Sequence, residues 1–346
     1  MESEVNCVEL FAGAGGAALG IEAAGFTHLA LCEWDKDACA TLRAAGLGPV
    51  LEGDVREQDW DQFRGQVDML WSSFPCTPWS MAAADRKDAA NDERNMWPAT
   101  MDTVDDCSPA WFIAENVCGL THHNGDCEQD PKDNPLDCPG CYFNRVIVAG
   151  LRDRFDWVEV WKLNAVDYGS AQRRGRIFMV AGPHYVKRPT ATNCDPRLRL
   201  LTVTGMSPWR TMHDVIGVDV MEPSIAVCAT EYKGARHMGN ADMDRTPMRA
   251  SDQLWRATGR RRLEIEECAL LQDFPVDHPF QGGKTSRYKQ VGNAVPPSLA
   301  QAVAAAVYSM SARPSFSGNS SKGSGSSTST STSPSTGSAS GSGSTS

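Results

Sequence analysis

The strongest constraint on the fold is an alternation of strand-like and helix-like patterns that fills the first 120 residues. Short apolar runs alternate with stretches in which apolar residues recur at helical spacing. Such an alternation predicts an α/β fold with a parallel, doubly wound sheet, in which ligands bind beyond the carboxyl ends of the strands. The strand patterns are NCVELFAG, THLALCEW, GPVLEGD, VDMLWSSFP and AWFIAENV, and the helix patterns are GGAALGIEAAGF and DKDACATLRAA.

The rest of the chain divides by composition. Residues 117–142 are irregular and rich in Cys, Asp, Pro and His, and DWVEVWKLNA and RRGRIFMVAG then resume strand patterns. RLEIEECALLQDF and SLAQAVAAAVYSM are helical, and the Ser/Gly/Thr-rich end predicts a disordered tail. The predicted organisation is a first domain part at 1–182, a small separate domain at 183–262, a return to the first domain at 263–312 and the tail at 313–346.

Charge and composition limit the possible partners. The formal net charge is −10, which argues against a surface that binds nucleic acid everywhere. Residues 183–262 nevertheless hold 13 Lys and Arg against 8 Asp and Glu, which fits either a basic recognition segment or chance clustering on a solvated surface. No apolar run reaches about 18 residues, and the acidic N-terminus lacks a signal-peptide pattern. We expect an intracellular protein without a membrane partner, whose twelve cysteines are mostly reduced.

One cysteine stands in an unusual setting. Cys76 lies in SSFPCTPWS, between Pro75 and Pro78, directly after an apolar run. A cysteine in such a stiff loop can be a presented nucleophile or a small buried hydrophobe, and the stretch alone does not decide. The polar segment 81–96 that follows is long for a connection and is typical of a lid or binding loop.

The first three strand ends predict a cofactor site. Glycines 13, 15 and 16 mark a turn where backbone can approach a ligand closely, and Glu33 and Asp54 end the next two strands. Each acid alone fits a helix cap or a solvated strand end. Together they favour an adenosine cofactor, with Phe11 and Trp34 flanking the adenine ring. Because the full GxGxxG pattern of dinucleotide sites is missing, S-adenosylmethionine is the leading candidate.

The ordered motifs resemble those of a known family. FAGAGG, EWD, GDV, PCTPWS, ENV, QRRGR and YKQVGNAVPP occur in the order found in the cytosine-5 DNA methyltransferases, over about residues 5–310. The resemblance implies a Rossmann-like class I methyltransferase domain with a small inserted target-recognition domain. Glu9 stands where the family usually has Asp, and Gly175 where an acid is frequent. The cofactor residues expected from motif and resemblance are Phe11, Gly13, Gly15, Glu33, Trp34, Asp54, Val55 and Asn293.

The resemblance also implies a reaction, methylation of C5 of a cytosine flipped out of double-stranded DNA. Cys76 would add to C6 as a thiolate, and Glu115 of ENV, with a raised pKa, would contact N3. Arg174 and Arg176 are two apart on a strand pattern, so both would face the site and hold the base carbonyl. A structural salt bridge is the competing interpretation of Glu115 and the arginines. Monomeric action on the duplex is the default for the family.

Three alternatives remain open. The family's tRNA-methylating branch has similar catalytic motifs, but its CFT signature is absent here. A catalytically silent DNA-binding regulator would be expected to lose the Cys or the ENV Glu, and both are present. A structural zinc held by Cys118, Cys127, Cys138 and Cys141 competes with reduced loop thiols, because only one CxxC pair is present.

Overall fold

The computed structural model describes residues 4–75, 93–121, 138, 141–198, 205–229 and 263–311. Met1–Arg313 form one compact unit, and the second unit, Pro314–Ser346, lies outside the described residues. In this described part no helix has the length and apolar character needed to cross a membrane. The helices are α1 Gly16–Ala23, α2 Lys36–Ala44, α3 Trp97–Cys107, α4 Ala149–Arg152, α5 Met212–Ile216, α6 Ile265–Leu271, α7 Lys284–Asn293 and α8 Pro297–Ser311, with a π-helical segment at Phe143–Val148.

Seven strands form one sheet in the order β3-β2-β1-β4-β5-β8-β6. Strands β1 to β5 pair in parallel, as the alternating patterns predict. Strand β8 runs antiparallel to both of its neighbours. The strands are β1 Asn6–Leu10, β2 Thr27–Glu33, β3 Val50–Glu52, β4 Met69–Ser72, β5 Trp111–Val117, β6 Trp157–Asn164, β7 Gln172–Arg173, β8 Gly175–Gly182, β9 Asn193–Cys194, β10 Ser207–Pro208 and β11 Ser224–Ile225.

The direction of β8 follows from the length of the connection before it. Residues 165–174 join β6 to β8, and a parallel connection needs a dozen or more residues, usually with a crossover helix. The short link therefore returns the chain antiparallel. As a result β8 begins at the edge of the sheet where β5 and β6 end.

Both faces of the sheet are covered, which explains why its strands read as continuous apolar runs rather than alternating ones. On one face α3, the π-helical segment and α4 pack against alternate strand residues such as Leu70 and Phe112. On the other face α1 and α8 pack against the intervening residues, including Trp71 and Phe178. All four residues of β4 are buried, so the segment that leaves β4 starts from a fully enclosed strand.

The end of the chain returns to its beginning. Helix α8 packs on α1, where a side chain on Gly20 would meet the backbone of Pro297 and Gln301. A side chain on Gly16 would likewise meet the Val295 carbonyl oxygen. These close approaches bring the last motif, YKQVGNAVPP, beside the first glycine turn.

Candidate active site

The carboxyl ends of the parallel strands gather the candidate residues at one edge of the sheet. Leu10 at the end of β1 pairs with Cys32 of β2 on one side and Ser72 of β4 on the other. Ser72 in turn pairs with Ala114 of β5. The residues that follow these pairs therefore emerge next to one another, and they are Phe11, Glu33, Ser73, Phe74 and Glu115.

Glu33 fixes the glycine turn to the end of β2. Its Oε2 accepts from the backbone N–H of Gly13 at 2.8 Å, and its Oε1 accepts from those of Trp34 and Asp35 at 2.9 and 2.8 Å. Burial raises the pKa of this carboxyl group, and the three backbone donors act against that rise. The side chain thus has a structural role in addition to any contact with a ligand.

The turn that Glu33 holds is strained and open. Phe11 has a φ of 58°, in the left-handed region that non-glycine residues rarely adopt and that is enriched at ligand sites. Gly13 has a φ of 56°, and no atom lies within 4 Å of the position that its side chain would take. Beside the turn, the Trp34 side chain is 72% exposed and has no ring partner among the described residues.

The remaining cofactor candidates lie nearby but differ in exposure. Asp54 caps the turn Val55–Glu57, and its carboxylate pairs with Arg56 at 2.5 Å, an interaction that lowers the pKa of Asp54. Val55 is buried in the core. Asn293 is the exposed last residue of α7, two residues before the Val295 carbonyl that abuts the glycine turn.

Glu115 and Arg176 form a nearly buried ion pair. Arg176 Nε lies 2.8 Å from Glu115 Oε1, across the antiparallel pair β5 and β8. Burial raises the pKa of Glu115, whereas the charges of Arg176 and Arg174 lower it, and the net direction is upward. Oε2 of Glu115 has no hydrogen-bond partner among the residues described, so it is available for a hydrogen bond to a ligand.

Arg174 makes different contacts. Its guanidinium donates to the carbonyl oxygens of Val227, Gly292 and Ala294 at 2.7, 2.8 and 3.0 Å, and the side chain is buried. The spacing of two residues predicts a shared face only within one strand, and Arg174 falls between β7 and β8. It therefore ties three backbone segments together, while Arg176 alone bonds to Glu115.

Two further residues organise the site and were not predicted. Gln172 accepts from the Val227 backbone N–H at 3.0 Å and donates to the Leu271 carbonyl at 2.8 Å. Asn116, within ENV, donates to the Phe74 carbonyl oxygen at 3.0 Å in a buried bond. The Phe74 ring also packs on Trp97, with ring centroids 5.3 Å apart. The backbone is thus fixed two residues before Cys76.

Some predictions concern residues outside those described. Cys76 and residues 77–92 belong to this group, so the position of the predicted nucleophile and most of the predicted lid are not described. For the zinc prediction, Cys127 is also outside. Cys138 and Cys141 are buried and Cys118 is half-buried, and the described residues hold no group of three or more His, Cys, Asp or Glu placed to bind a metal. The described cysteines therefore do not support a zinc site.

The fold and this edge of the sheet define a Rossmann-like α/β methyltransferase. The family model described as C-5 cytosine-specific DNA methylase matches residues 5–187 and 209–309, and the chain belongs to that family. The family and fold predicted from the sequence are thereby confirmed, and the activity of this family is methylation of cytosine C5 in DNA.

Curated relatives agree with this assignment, and a solved structure shares the fold. The chain is 30% identical over 321 residues to the Type II methyltransferase M.NgoMIV of Neisseria gonorrhoeae, covering 87% of this chain and 96% of the relative. It is 30% identical to the Type II methyltransferase M.PspPI of Psychrobacter sp. (strain TA137), covering 88% and 79% of the two chains. The Entamoeba histolytica methyltransferase EhMeth shares the fold, with a TM-score of 0.62 at 12% identity over 89% of this chain and 99% of the other.

Proposed function

We propose that the protein transfers a methyl group from S-adenosylmethionine to C5 of a cytosine flipped out of double-stranded DNA, through a covalent adduct between Cys76 and C6. The observation that carries the proposal is the nearly buried Glu115–Arg176 ion pair. Its Glu115 lies on β5, the neighbour of β4, and β4 leads toward Cys76. We further propose that one copy of the chain acts on one duplex.

The edge formed by β1, β2 and β3 fits S-adenosylmethionine. The open space above Gly13 gives room for the ligand, and the exposed Trp34 ring offers a face for adenine to stack on. Glu33 uses three of its roughly four acceptor positions on backbone N–H groups, which leaves one for a ribose hydroxyl. Asp54, Val55 and Asn293 complete the proposed site. When bound, the cofactor supplies an electrophilic methyl group.

Cytosine C5 is a weak nucleophile, and the protein's own groups activate it. The Cys76 thiolate forms a bond to C6 while Glu115, whose pKa is raised by burial, gives a proton to N3. The electron pair of the C5–C6 double bond moves to C5 for methylation. A base then removes the C5 proton, the double bond re-forms, the thiolate leaves and N3 returns its proton to Glu115.

Arg176 keeps Glu115 in place for this proton transfer. Its Nε lies 2.8 Å from Oε1, and this ion pair holds the carboxyl group in place. We propose that its guanidinium charge also stabilises the thiolate form of Cys76. Arg174 is a positioning residue, because its guanidinium holds the backbone carbonyls of Val227, Gly292 and Ala294 and does not pair with Glu115.

We propose that two segments of the chain hold the DNA. A base inside a duplex must be flipped out before its ring atoms can react. We propose that residues 81–96 close over the DNA, with Arg86, Lys87 and Arg94 toward phosphates, and that the basic segment 183–262 reads the sequence.

Bisulfite sequencing tests the activity directly. Plasmid DNA from a methylation-free host that expresses the wild-type protein should show protected cytosines in one short sequence context. Plasmid from a host that expresses Cys76→Ala at equal soluble level should show none. If the wild-type protein is soluble and no cytosine is protected, DNA is not the substrate.

A second experiment tests the covalent step. Duplexes with 5-fluorocytosine at the target should trap the wild-type protein as an adduct that survives denaturing electrophoresis, because fluorine at C5 cannot leave as a proton. Cys76→Ala should form no adduct, and Cys268→Ala, a change at a buried thiol on α6, should trap normally. An adduct with Cys76→Ala would contradict the assignment of the nucleophile.

A further inference from the structure

A cavity of about 470 Å³ opens at the carboxyl end of β6, the edge strand of the sheet. The end of β6 contributes Lys162 and Asn164, and the turn that follows contributes Asp167 and Tyr168. Gly175 at the start of β8 and Arg188 complete the relevant lining. None of the catalytic steps proposed above uses this cavity.

The cavity carries a net positive charge. Lys162 and Arg188 are both exposed, and Arg188 is held in place because its Nη2 donates to the Lys162 carbonyl oxygen at 2.6 Å. A guanidinium has five N–H donors, so this bond leaves donors for a ligand. Asp167 also lines the cavity, but it accepts from Trp209 Nε1 at 3.0 Å and burial raises its pKa. The two cations outweigh this single carboxylate.

The cavity lies close to the place where the target base would sit. Leu163, which also lines it, pairs with Arg176 of β8, and Arg176 bonds to Glu115 of β5. Neighbouring strands are about 4.8 Å apart, and Glu115 lies two residues before Val117, the β5 residue that pairs with Arg176. Leu163 is therefore about 12 Å from Glu115. Successive phosphates of one DNA strand advance about 3.4 Å along the helix axis, so a phosphate near a flipped cytosine is within reach.

We infer that this cavity receives a backbone phosphate of the DNA strand that carries the target cytosine, within two nucleotides of that base. The inference rests on the proposed function. The phosphate oxygens accept from Lys162 and Arg188. Asn164 Oδ1, buried and without a hydrogen-bond partner among the described residues, accepts from water that hydrates the phosphate. The contact positions the strand for flipping and reads no sequence.

The experiment pairs protein variants with DNA that lacks single charges. Duplexes contain the target site with one neutral methylphosphonate at each of the positions flanking the cytosine. Binding is measured for wild type, Arg188→Ala and Lys162→Gln, the second of which keeps the carbonyl that holds Arg188. Arg152→Ala is the matched control, because Arg152 is exposed and precedes the opposite end of β6. All four proteins are compared by thermal unfolding first.

Wild type should lose about tenfold in affinity for one methylphosphonate duplex, the size of a charge-assisted hydrogen bond. Arg188→Ala and Lys162→Gln should bind that methylphosphonate duplex almost as tightly as they bind the unmodified duplex, because the contact is already lost in these variants. Each should also lower the slope of log Kd against log salt by about 0.9, the value for one phosphate contact. Arg152→Ala should match wild type in both measurements.

The inference is overturned if both variants keep the wild-type response to every methylphosphonate and the wild-type salt slope. The proposed function stands in that case, provided that wild type still protects cytosines in bisulfite sequencing. A loss of affinity in both variants that is equal for all duplexes also overturns it, because a local phosphate contact must respond to one position. Absence of methylation by wild type would count against the proposed function itself.

Discussion

At the scale of single residues, the raised pKa of Glu115 sets the pH dependence of the reaction. Burial favours the neutral carboxyl group, so Glu115 stays protonated to a higher pH than an exposed Glu. As pH rises through that raised pKa, the proton donor is lost and kcat/KM should fall on the alkaline side. Glu115→Gln should lower kcat/KM about 10²-fold or more and should abolish this alkaline decline. Steady-state methyl transfer measured across pH tests both effects.

A carboxylate elsewhere provides the control for that profile. Glu266 is exposed on α6, and Glu266→Gln should reproduce both the wild-type rate and the wild-type pH dependence. If Glu115→Gln kept the alkaline decline, another group would be responsible for it. Glu115 would then only anchor Arg176.

A second buried acid has a different effect, on stability. Glu9 is enclosed in β1, and its Oε2 lies 3.2 Å from His28 Nε2, while Glu22 Oε1 lies 3.2 Å from His28 Nδ1. Burial lowers the pKa of His28, but its hydrogen bonds with Cys7, Glu22 and Glu9 raise the pKa to about 12. The folded protein therefore keeps a proton that the unfolded chain releases above its ordinary His pKa of about 6.5.

This linkage predicts the stability of His28→Gln. The contribution of His28 is fully present below about pH 6.5 and declines as pH rises toward about 12, because the unfolded chain then binds fewer protons. At about pH 6 the free energy of unfolding of the variant should be about 3–5 kcal/mol lower than that of wild type, which is the cost of breaking a buried pair. Urea unfolding should show a smaller difference in the free energy of unfolding between wild type and the variant at about pH 9 than at about pH 6. A difference in the free energy of unfolding that grows with pH would contradict the protonated state of His28.

At the scale of elements, close packing of α1 on α8 depends on Gly20. A side chain there would meet the Pro297 carbonyl and would lie 2.6 Å from the Gln301 N and 2.7 Å from the Ala300 Cβ. Gly20→Ala should therefore destabilise the protein by about 1–3 kcal/mol, despite the better helix propensity of Ala. Gly150→Ala on α4 is the control, because its nearest atom would be 3.9 Å away, and it should gain up to about 1 kcal/mol. Equal urea midpoints for the two variants would refute the packing argument.

Elements with a clear period could be predicted, and elements set by tertiary context could not. The five parallel strands and α1, α2 and α8 follow their apolar patterns. Helices α3 and α7 were missed. Two acids, Asp105 and Asp106, lie in the last turn of α3, where they oppose the helix dipole. The polar sequence KTSRYKQVGN of α7 gives little helical signal, and the burial of Tyr288 and Val291 against α6 stabilises it.

The same limit applies to the site. Spacing along a strand predicted that Arg174 and Arg176 share a face, but the break between β7 and β8 separates them. Sequence motifs predicted a catalytic role for Glu115, which stays a prediction. The buried bond from Asn116 to Phe74 depends on which strands are neighbours, and strand order is not visible in a local pattern. Residue types are thus easier to predict than their partners.

At the scale of the whole molecule, Arg174 joins three regions that are distant in sequence. It lies next to β8, and its acceptors are at Val227 in the basic segment and at Gly292 and Ala294 in the last motif. Gln272 Nε2 also donates to the Ala294 carbonyl, so that carbonyl keeps a partner without Arg174. The Val227 and Gly292 carbonyl oxygens depend more on Arg174 for a hydrogen bond than the Ala294 carbonyl oxygen does. The loss of Arg174 should therefore loosen the basic segment and the last motif together.

Arg174→Met tests this tie against the role expected from the sequence, contact with the base carbonyl. Leaving buried carbonyls unpaired costs about 1–3 kcal/mol each, so the variant should lose at least about 2 kcal/mol in urea unfolding. Because Asn293 lies between two of the acceptors, KM for S-adenosylmethionine should also rise. Arg173→Ala is the control, since its partly exposed ion pair with Glu222 is worth at most about 1 kcal/mol. A fall in kcat with unchanged stability would instead place Arg174 at the base.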